Sequence, residues 1–342
     1  MIPRALGAAG AAALSAITVR AAGRRAADRL LHPPRVGPDE AASGPALDAL
    51  GGEVVRIRSR DGLRLSARWL AAERANDAAG GGTTWDAEPH DAILLLHGYS
   101  GSVAPDLVEY GPFLRRTASV LGLDFRGHGD SDDGPTTFGM LEIEDVAGAL
   151  AWLGERGVTR VALVGTSMGG MTAIGSVAVL GDGSLAAADA EPDPTRAPID
   201  APRPRIVAVV AESVPRSVVT PVANRIRAPM RGVIAGGLFA AAARRLGGDP
   251  RDTEPGRVIA LVDPVPLLLI HGSADTTVPV EEGRRLAALA GPSAEHWVID
   301  GARHSGGHAA SPQDYERRVT DFLRMAFERA HRDDLGHGEG RL

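Results

Sequence analysis

Short apolar runs, each followed by a turn, recur along most of this chain, and their spacing predicts alternating strands and helices. Between Val54 and Trp69, apolar and polar side chains alternate around Asp61-Gly62, which is typical of a β-hairpin. The later runs are mainly apolar without alternation, as expected for parallel strands that are buried on both faces. They occupy residues 92–96, 118–123, 160–164, 206–211 and about 266–270. We therefore predict an α/β fold with a mostly parallel twisted sheet flanked by helices.

A serine follows one of these strands, in the turn Gly165-Thr166-Ser167-Met168-Gly169. The next residues, 171–180, are small and apolar and predict a helix. A G-x-S-x-G sequence between a strand and a helix is typical of a nucleophile elbow, in which glycines allow a turn that exposes the serine hydroxyl. The helix N-terminus behind it would stabilise an oxyanion. Ser167 is therefore the candidate nucleophile, and an ordinary glycine-rich turn is the alternative.

A serine hydroxyl needs a general base, which is in turn oriented by an acid. Asp275 follows the strand near 266–270, and His304 follows a further predicted strand at 295–300. Because parallel strands end at the same edge of a sheet, side chains that follow three of them can converge there. Asp275 and His304 are therefore the candidate acid and base for Ser167.

Both assignments have a rival in the sequence. Glu212, which closes the strand 206–211, could supply the acid one strand earlier, and Asp275 could instead cap the following helix. His308 is the alternative base. We favour Asp275 for its position in His-Gly-Ser-Ala-Asp, and His304 because it lies nearer to its strand. The other loop histidines considered, for which we expect structural hydrogen bonds, are His97, His128 and His271.

Two further motifs carry a family resemblance. His97-Gly98-Tyr99 follows the first of the mainly apolar strands, and Asp124 to Ser131 has the form D-x-R-G-x-G-x-S after the second. With the serine turn, these motifs make the chain from Val54 to Leu323 resemble serine hydrolases of the α/β-hydrolase superfamily, of the esterase, lipase and acylaminoacyl-peptidase kind. The resemblance implies an α/β-hydrolase fold in which the backbone N–H groups of Met168 and Tyr99 form an oxyanion hole.

An insertion at about 213–250 stands at the position where this family carries a lid. From Val222 to Leu246 it is apolar and helix-compatible, so it predicts a short helical cap above the serine. We expect Met230 and Phe239 to line an acyl or alcohol pocket beneath this cap. A core helix is the alternative interpretation.

The resemblance implies hydrolysis of carboxylic esters through an acyl-enzyme intermediate. Cleavage of amides, peptides or thioesters by the same residues is the alternative within this chemistry. A catalytically silent hydrolase fold that only binds ligands is the alternative from another class. We favour the enzyme, with a small-molecule ester as its partner, because a competent residue fills every triad and oxyanion position.

Composition argues against several other classes. The chain has no cysteine and no H-E-x-x-H motif, so we predict neither a metal nor a cofactor. All 37 basic residues are arginine, whereas a phosphate-binding P-loop requires lysine. Serine at the elbow also argues against the haloalkane dehalogenases and epoxide hydrolases of the superfamily, which carry aspartate there. A net charge of −6 with interspersed signs gives no indication of nucleic acid binding.

The predicted parts of the chain are an alanine- and arginine-rich segment 1–31, a linker 32–52, the hydrolase domain 53–331 and a tail 332–342. The first segment contains a weakly apolar run of 15 residues, Ala5 to Val19, shorter than the roughly 20 that span a bilayer. Most of its arginines follow this run, which favours a cytoplasmic or cytoplasmic-side location over secretion. We expect at most weak membrane association of residues 1–31, and the oligomeric state stays open.

Overall fold

Eight strands form one sheet in the part of the chain that the structure describes. The computed structural model describes residues 23–35, 43–73, 90–99, 101–181 and 203–338. The strands are β1 Glu53–Arg58, β2 Arg64–Leu70, β3 Asp91–Leu96, β4 Ser119–Leu123, β5 Arg160–Thr166, β6 Arg205–Glu212, β7 Leu267–Gly272 and β8 Ala294–Ile299. Their order is β1-β2-β4-β3-β5-β6-β7-β8. β1 and β2 pair antiparallel and β3 to β8 run parallel, which confirms the predicted fold class.

Helices cover both faces of this sheet. Among the described residues they are α1 23–31, α2 Gly44–Leu50, α3 Val103–Leu114, α4 Glu142–Glu155, α5 Met168–Leu180, α6 Val219–Arg225, α7 Arg231–Leu246, α8 Pro255–Val258, α9 Val280–Leu289, α10 Gly307–Ala310 and α11 Pro312–Gly338. In β3, Leu94 and Leu96 pack in the core that includes α4 and α5, while Ile93 and Leu95 pack in the core that includes α3 and α11. A strand buried on both faces cannot alternate in polarity, which explains the apolar runs of the sequence.

The β1–β2 hairpin is tied to the rest of the fold by Arg126, the arginine of the D-x-R-G-x-G-x-S motif. Its side chain is 2% exposed and lies 2.8 Å from Asp61 in the hairpin turn and 2.7 Å from Asp145 on α4. Carboxylates on two sides satisfy the fork of donors on the guanidinium, as a buried arginine requires. The motif therefore has a structural role in holding the hairpin against α4.

The strand register brings the carboxyl ends of β5 to β8 side by side. Thr166 pairs with Glu212, Glu212 pairs with Ile270, and Gly272 pairs with Ile299. The turns that follow these four strands consequently meet at one edge of the sheet. Parallel α/β sheets carry their binding sites at this edge.

The cap consists of two helices rather than one continuous segment. α6 ends at Arg225 and α7 begins at Arg231, and between them Met230 adopts a left-handed conformation with φ of 58°. Pro229 explains the break, because it disfavours a helical conformation at the preceding residue and has no N–H to donate. Phe239 is fully buried, but Met230 is 71% exposed, so the expectation that it lines a pocket is wrong.

The predicted division of the chain stays a prediction. Part of the expected linker, Gly44–Leu50, is helical, and α11 continues beyond residue 331 into the expected tail. Residues 1–22 of the first segment, 36–42 of the linker and 339–342 of the tail lie outside the described residues. Within the described ranges, no helix combines the length and the apolar character needed to cross a bilayer.

Candidate active site

Ser167 occupies a strained turn between β5 and α5. Its φ of 51° and ψ of −111° lie in a region that residues with a side chain rarely adopt, at a cost of about 1–3 kcal/mol. The flanking glycines are required by close packing. A Cβ at Gly169 would collide with the backbone carbonyl of Leu96, and a Cβ at Gly165 would collide with the backbone of Gly169. Close backbone packing therefore requires glycine at both glycine positions of the G-x-S-x-G sequence.

A chain of hydrogen bonds joins Ser167, His304 and Asp275. The distance from Ser167 Oγ to His304 Nε2 is 3.0 Å, and that from His304 Nδ1 to Asp275 Oδ2 is 2.7 Å. An ionised carboxylate only accepts, so the Nδ1 of His304 carries the proton and its Nε2 lone pair faces the serine hydroxyl. In this tautomer the imidazole can take a proton from Ser167.

The environment of Asp275 keeps its carboxylate charged although the side chain is buried. Burial alone would raise the pKa of Asp275, but the hydrogen bonds from His304 and from the Val278 N–H outweigh burial and lower it. Asp275 Oδ1 accepts from the N–H groups of Thr277 at 2.9 Å and Val278 at 2.8 Å. These contacts fix the carboxylate, and with it the orientation of the imidazole.

The turn after β3 lies directly beside the elbow. A Cβ built on Gly98 would be 3.8 Å from Ser167 Cβ. His97 Nδ1 lies 2.7 Å from Gly98 O and must donate to it, because His97 Nε2 accepts from the Phe125 N–H at 3.1 Å. Burial lowers the pKa of His97 to about 3, so the imidazole is neutral. Since a trans peptide holds C=O and N–H on opposite sides, His97 fixes the direction of the Tyr99 N–H.

The second expected oxyanion donor, Met168, is the first residue of α5. The first N–H groups of a helix have no acceptor within it, so this group is free to bind a ligand atom in front of Ser167. The positive end of the α5 dipole adds to the same field. The two backbone groups that sequence reasoning selected thus belong to turns that flank the serine.

The rival residues have other contacts. Glu212 is 1% exposed and accepts from the Gly307 N–H and the Tyr315 hydroxyl, both at 2.8 Å. His308 lies 3.1 Å from Glu109 Oε1 and its ring stacks on a neighbouring aromatic side chain. Neither side chain is hydrogen-bonded to Ser167 or its imidazole partner.

Sequence reasoning missed what Glu212 does. With Ser213, whose Oγ accepts from the Ser305 N–H at 2.9 Å, it holds the backbone that directly follows His304. The sequence did contain a signal for this role. Glu212 is a carboxylate at the end of the buried strand β6, and β6 pairs with β5, the strand that precedes Ser167.

Three aromatic side chains, here called the aromatic roof, pack in a row that begins at Tyr99, in the turn beside the elbow. Tyr99 stacks on Phe138 with ring centroids 5.2 Å apart, and Phe138 meets Phe239 of α7 at 5.4 Å. The Tyr99 hydroxyl donates to Leu30 O of α1 at 3.0 Å. Burial raises the pKa of Tyr99, and the positive charge of Arg225 acts against this rise. Sequence reasoning did not anticipate that α1 reaches this site.

Among the described side chains, no group of three or more histidine, aspartate or glutamate residues is arranged to hold a metal ion. The described arrangement, a serine hydroxyl beside an imidazole that is in turn hydrogen-bonded to a carboxylate, has the geometry that acyl transfer requires.

Comparison with known proteins agrees with this architecture. The sequence model of the Alpha/beta hydrolase family matches residues 93–318. The uncharacterized protein YfhR of Escherichia coli (strain K12) is 27% identical over 295 residues, which cover 84% of this chain and 86% of that protein. The esterase Pf2001 of Pyrococcus furiosus superposes with a TM-score of 0.60 at 23% identity, covering 86% of this chain and 99% of that chain. The alpha/beta hydrolase GrgF of Penicillium sp. sh18 superposes with a TM-score of 0.55 at 18% identity, covering 81% of this chain and 99% of that chain.

Proposed function

Because this chain belongs to the Alpha/beta hydrolase family, we propose that it is a hydrolase of carboxylic esters that uses Ser167 as its nucleophile. The observation that carries the proposal is the hydrogen-bond chain from Ser167 through His304 to Asp275, at 3.0 and 2.7 Å. It is supported by the strained φ of 51° at Ser167, since strain of this kind persists where function requires it.

In the proposed acylation, His304 Nε2 takes the hydroxyl proton while Ser167 Oγ attacks the carbonyl carbon of the ester. The carbonyl oxygen becomes an oxyanion, which the N–H groups of Met168 and Tyr99 bind. Each such donor is worth about 3 kcal/mol of barrier. When the tetrahedral intermediate collapses, the carbon–oxygen bond to the alcohol breaks and His304 returns its proton to the leaving alkoxide.

Deacylation repeats these steps with water. His304 takes a proton from water, the hydroxide attacks the acyl carbon, and the same two N–H groups bind the second oxyanion. The Ser167 ester bond then breaks and the serine recovers its proton from His304. Asp275 stabilises the imidazolium in both halves of the reaction. Because the pKa of Asp275 is lowered, its carboxylate stays ionised and the proton stays on His304.

Two considerations support esters over amides. An alcohol leaves a tetrahedral intermediate more readily than an amine, so these residues would cleave an ester more easily than an amide. In addition, Pf2001, which shares the fold at a TM-score of 0.60, is named an esterase. The apolar roof of Tyr99, Phe138 and Phe239 favours an uncharged acyl or alcohol group beside the serine.

The test combines a fluorophosphonate probe with p-nitrophenyl esters of increasing acyl length, a p-nitroanilide and an acyl thioester. We expect covalent labelling of Ser167, its loss in Ser167→Ala, and turnover of at least one ester well above the anilide. Preference for the anilide or the thioester would replace the proposed substrate class. A folded wild-type chain that neither labels nor turns over any of these substrates would instead favour a binding function.

A further inference from the structure

The cap carries an unusual distribution of charge. Between residues 213 and 248 the sequence contains six arginines and no aspartate or glutamate, although the whole chain has a net charge of −6. Arg225, Arg227 and Arg231 are exposed at the junction of α6 and α7. Among the described residues, none of these three has an ion-pair partner, whereas most exposed arginines of α11 lie beside an acidic side chain. Within the described part of the chain, the positive charge at this junction is therefore not paired with acidic side chains.

Large apolar side chains are exposed among these arginines. Met230 is 71% exposed, Val233 67% and Ile234 42%. Residues at this spacing share one side of a helix. The opposite side of α7 is the one that packs on the protein, through the buried residues Ala235, Phe239 and Ala242. We call the outward surface the cap face, which consists of Arg225, Arg227, Met230, Arg231, Val233 and Ile234.

The N-terminal helix α1 lies against the same cap. Arg245 of α7 forms an ion pair with Asp28 and donates to the backbone carbonyl of Arg24 at 3.2 Å. The exposed arginines of α1 are Arg24, Arg25 and Arg29. The described N-terminal helix therefore lies beside α7, and the sequence of residues 1–22 contains no acidic residue and a weakly apolar run at 5–19.

We propose that the cap face binds an anionic membrane surface. Apolar side chains flanked by arginines suit the boundary between lipid headgroups and acyl chains, since the apolar groups can insert while the guanidinium groups meet lipid phosphates. A second copy of this chain is disfavoured, because pairing this face with itself would bring uncompensated arginines together. Docked in this way, α7 lies between the membrane and the aromatic roof, to which its opposite side contributes Phe239.

The test is sedimentation of the full-length protein with two kinds of vesicle, phosphatidylcholine alone and phosphatidylcholine mixed with phosphatidylglycerol. We expect binding to the anionic vesicles, reversal by salt, and much weaker binding to the neutral ones. Arg227→Gln/Arg231→Gln should lower the partition coefficient about 30-fold, at roughly 1 kcal/mol for each arginine. Met230→Ser/Val233→Ser should lower it about tenfold.

Matched controls come from α11, where Arg317→Gln/Arg324→Gln makes the same change of charge and Met325→Ser the same kind of apolar change. Both should bind like the wild type. Equal loss in controls and cap variants, or cap variants that bind like the wild type, would overturn the proposal. A dimer in size-exclusion chromatography with light scattering that the cap variants convert to monomer would overturn it in favour of a second copy.

Removal of residues 1–22 separates the cap from the segment before it. We expect the truncated protein to bind anionic vesicles more weakly, while it keeps the same fractional loss in Arg227→Gln/Arg231→Gln. If the cap substitutions did not change the vesicle binding of the truncated protein, the cap face would not contact the membrane, and the proposal would be overturned.

Discussion

Asp275→Asn tests whether the orientation of His304 limits the proposed reaction. In the wild type, Asp275 Oδ1 accepts two backbone N–H groups at 2.9 and 2.8 Å, and Oδ2 accepts from His304 Nδ1 at 2.7 Å. An asparagine has only one acceptor oxygen, and the two backbone donors will hold that oxygen in the Oδ1 position. Its NH₂ group then faces His304 Nδ1 and must donate to it.

The substituted amide consequently reverses the tautomer of the imidazole. With Nδ1 accepting, the proton of neutral His304 moves to Nε2, which then donates toward Ser167 Oγ, 3.0 Å away, and cannot take its proton. Fixing the wrong tautomer in this way lowers kcat about 10⁴-fold, which corresponds to about 5.5 kcal/mol of barrier. KM should change little, because the substrate-binding surfaces are untouched.

The assay is steady-state hydrolysis of the best p-nitrophenyl ester, together with the rate of fluorophosphonate labelling and a thermal melt. Glu212→Gln is the matched control, since it makes the same chemical change one strand away and keeps an acceptor for the Gly307 N–H. We expect the control to retain kcat within about tenfold. A folded Asp275→Asn enzyme with kcat near wild type, or an equal loss in Glu212→Gln, would refute the reasoning.

Three other outcomes follow from the same structure. Ser167→Ala should lose hydrolysis and fluorophosphonate labelling but keep its melting behaviour, and retained labelling would contradict the assignment. Because the pKa of His97 falls from 6.5 to about 3 on folding, the unfolded chain binds this proton between pH 6.5 and 4.5 while the folded chain does not, and stability should fall over that interval by about 2.3 kcal/mol from this residue. In urea unfolding, His97→Gln should lack this part of the pH dependence of stability, and an unchanged pH dependence would contradict the expectation. Tyr99→Phe, which removes the hydrogen bond to Leu30 O, should lower kcat severalfold at unchanged KM, and an effect on KM alone would show that the hydroxyl does not position the Tyr99 N–H.

The sequence was informative about the site because Ser167, Asp275 and His304 each follow a strand within a few residues. A strand that is buried on both faces is visible as an apolar run, and parallel register then decides which turns become neighbours. The same reasoning located the turns of Tyr99 and Met168, since both are adjacent to strand ends. Local pattern and fold topology were sufficient to predict that the turns carrying these residues are neighbours.

Other features depend on contacts between distant segments that leave no local signal. The carbonyl of Leu30 accepts from Tyr99, 69 residues away, through a backbone atom that every residue type possesses. Glu212 could be recognised as a strand end, but only the packing of Tyr315 and Gly307 around it shows that it supports a loop. Likewise, the cap was visible as an apolar stretch, whereas the outward orientation of Met230 depends on which side of α7 meets the roof.

Backbone strain is concentrated where the proposed function would use it. Among the described residues, positive φ at a non-glycine occurs at Phe138, Ser167, Ser213, Met230 and Ser305. Three of these are in the turns after β5, β6 and β8, one is in the aromatic roof, and one is in the cap face. Each costs about 1–3 kcal/mol, so the surrounding fold must offset a substantial total. Since the strained turns share neighbours, such as the Ser305 N–H bound by Ser213 Oγ at 2.9 Å, relaxing one would displace the next. The rigidity of the buried sheet is thus what allows the strained turns around Ser167 to keep their geometry.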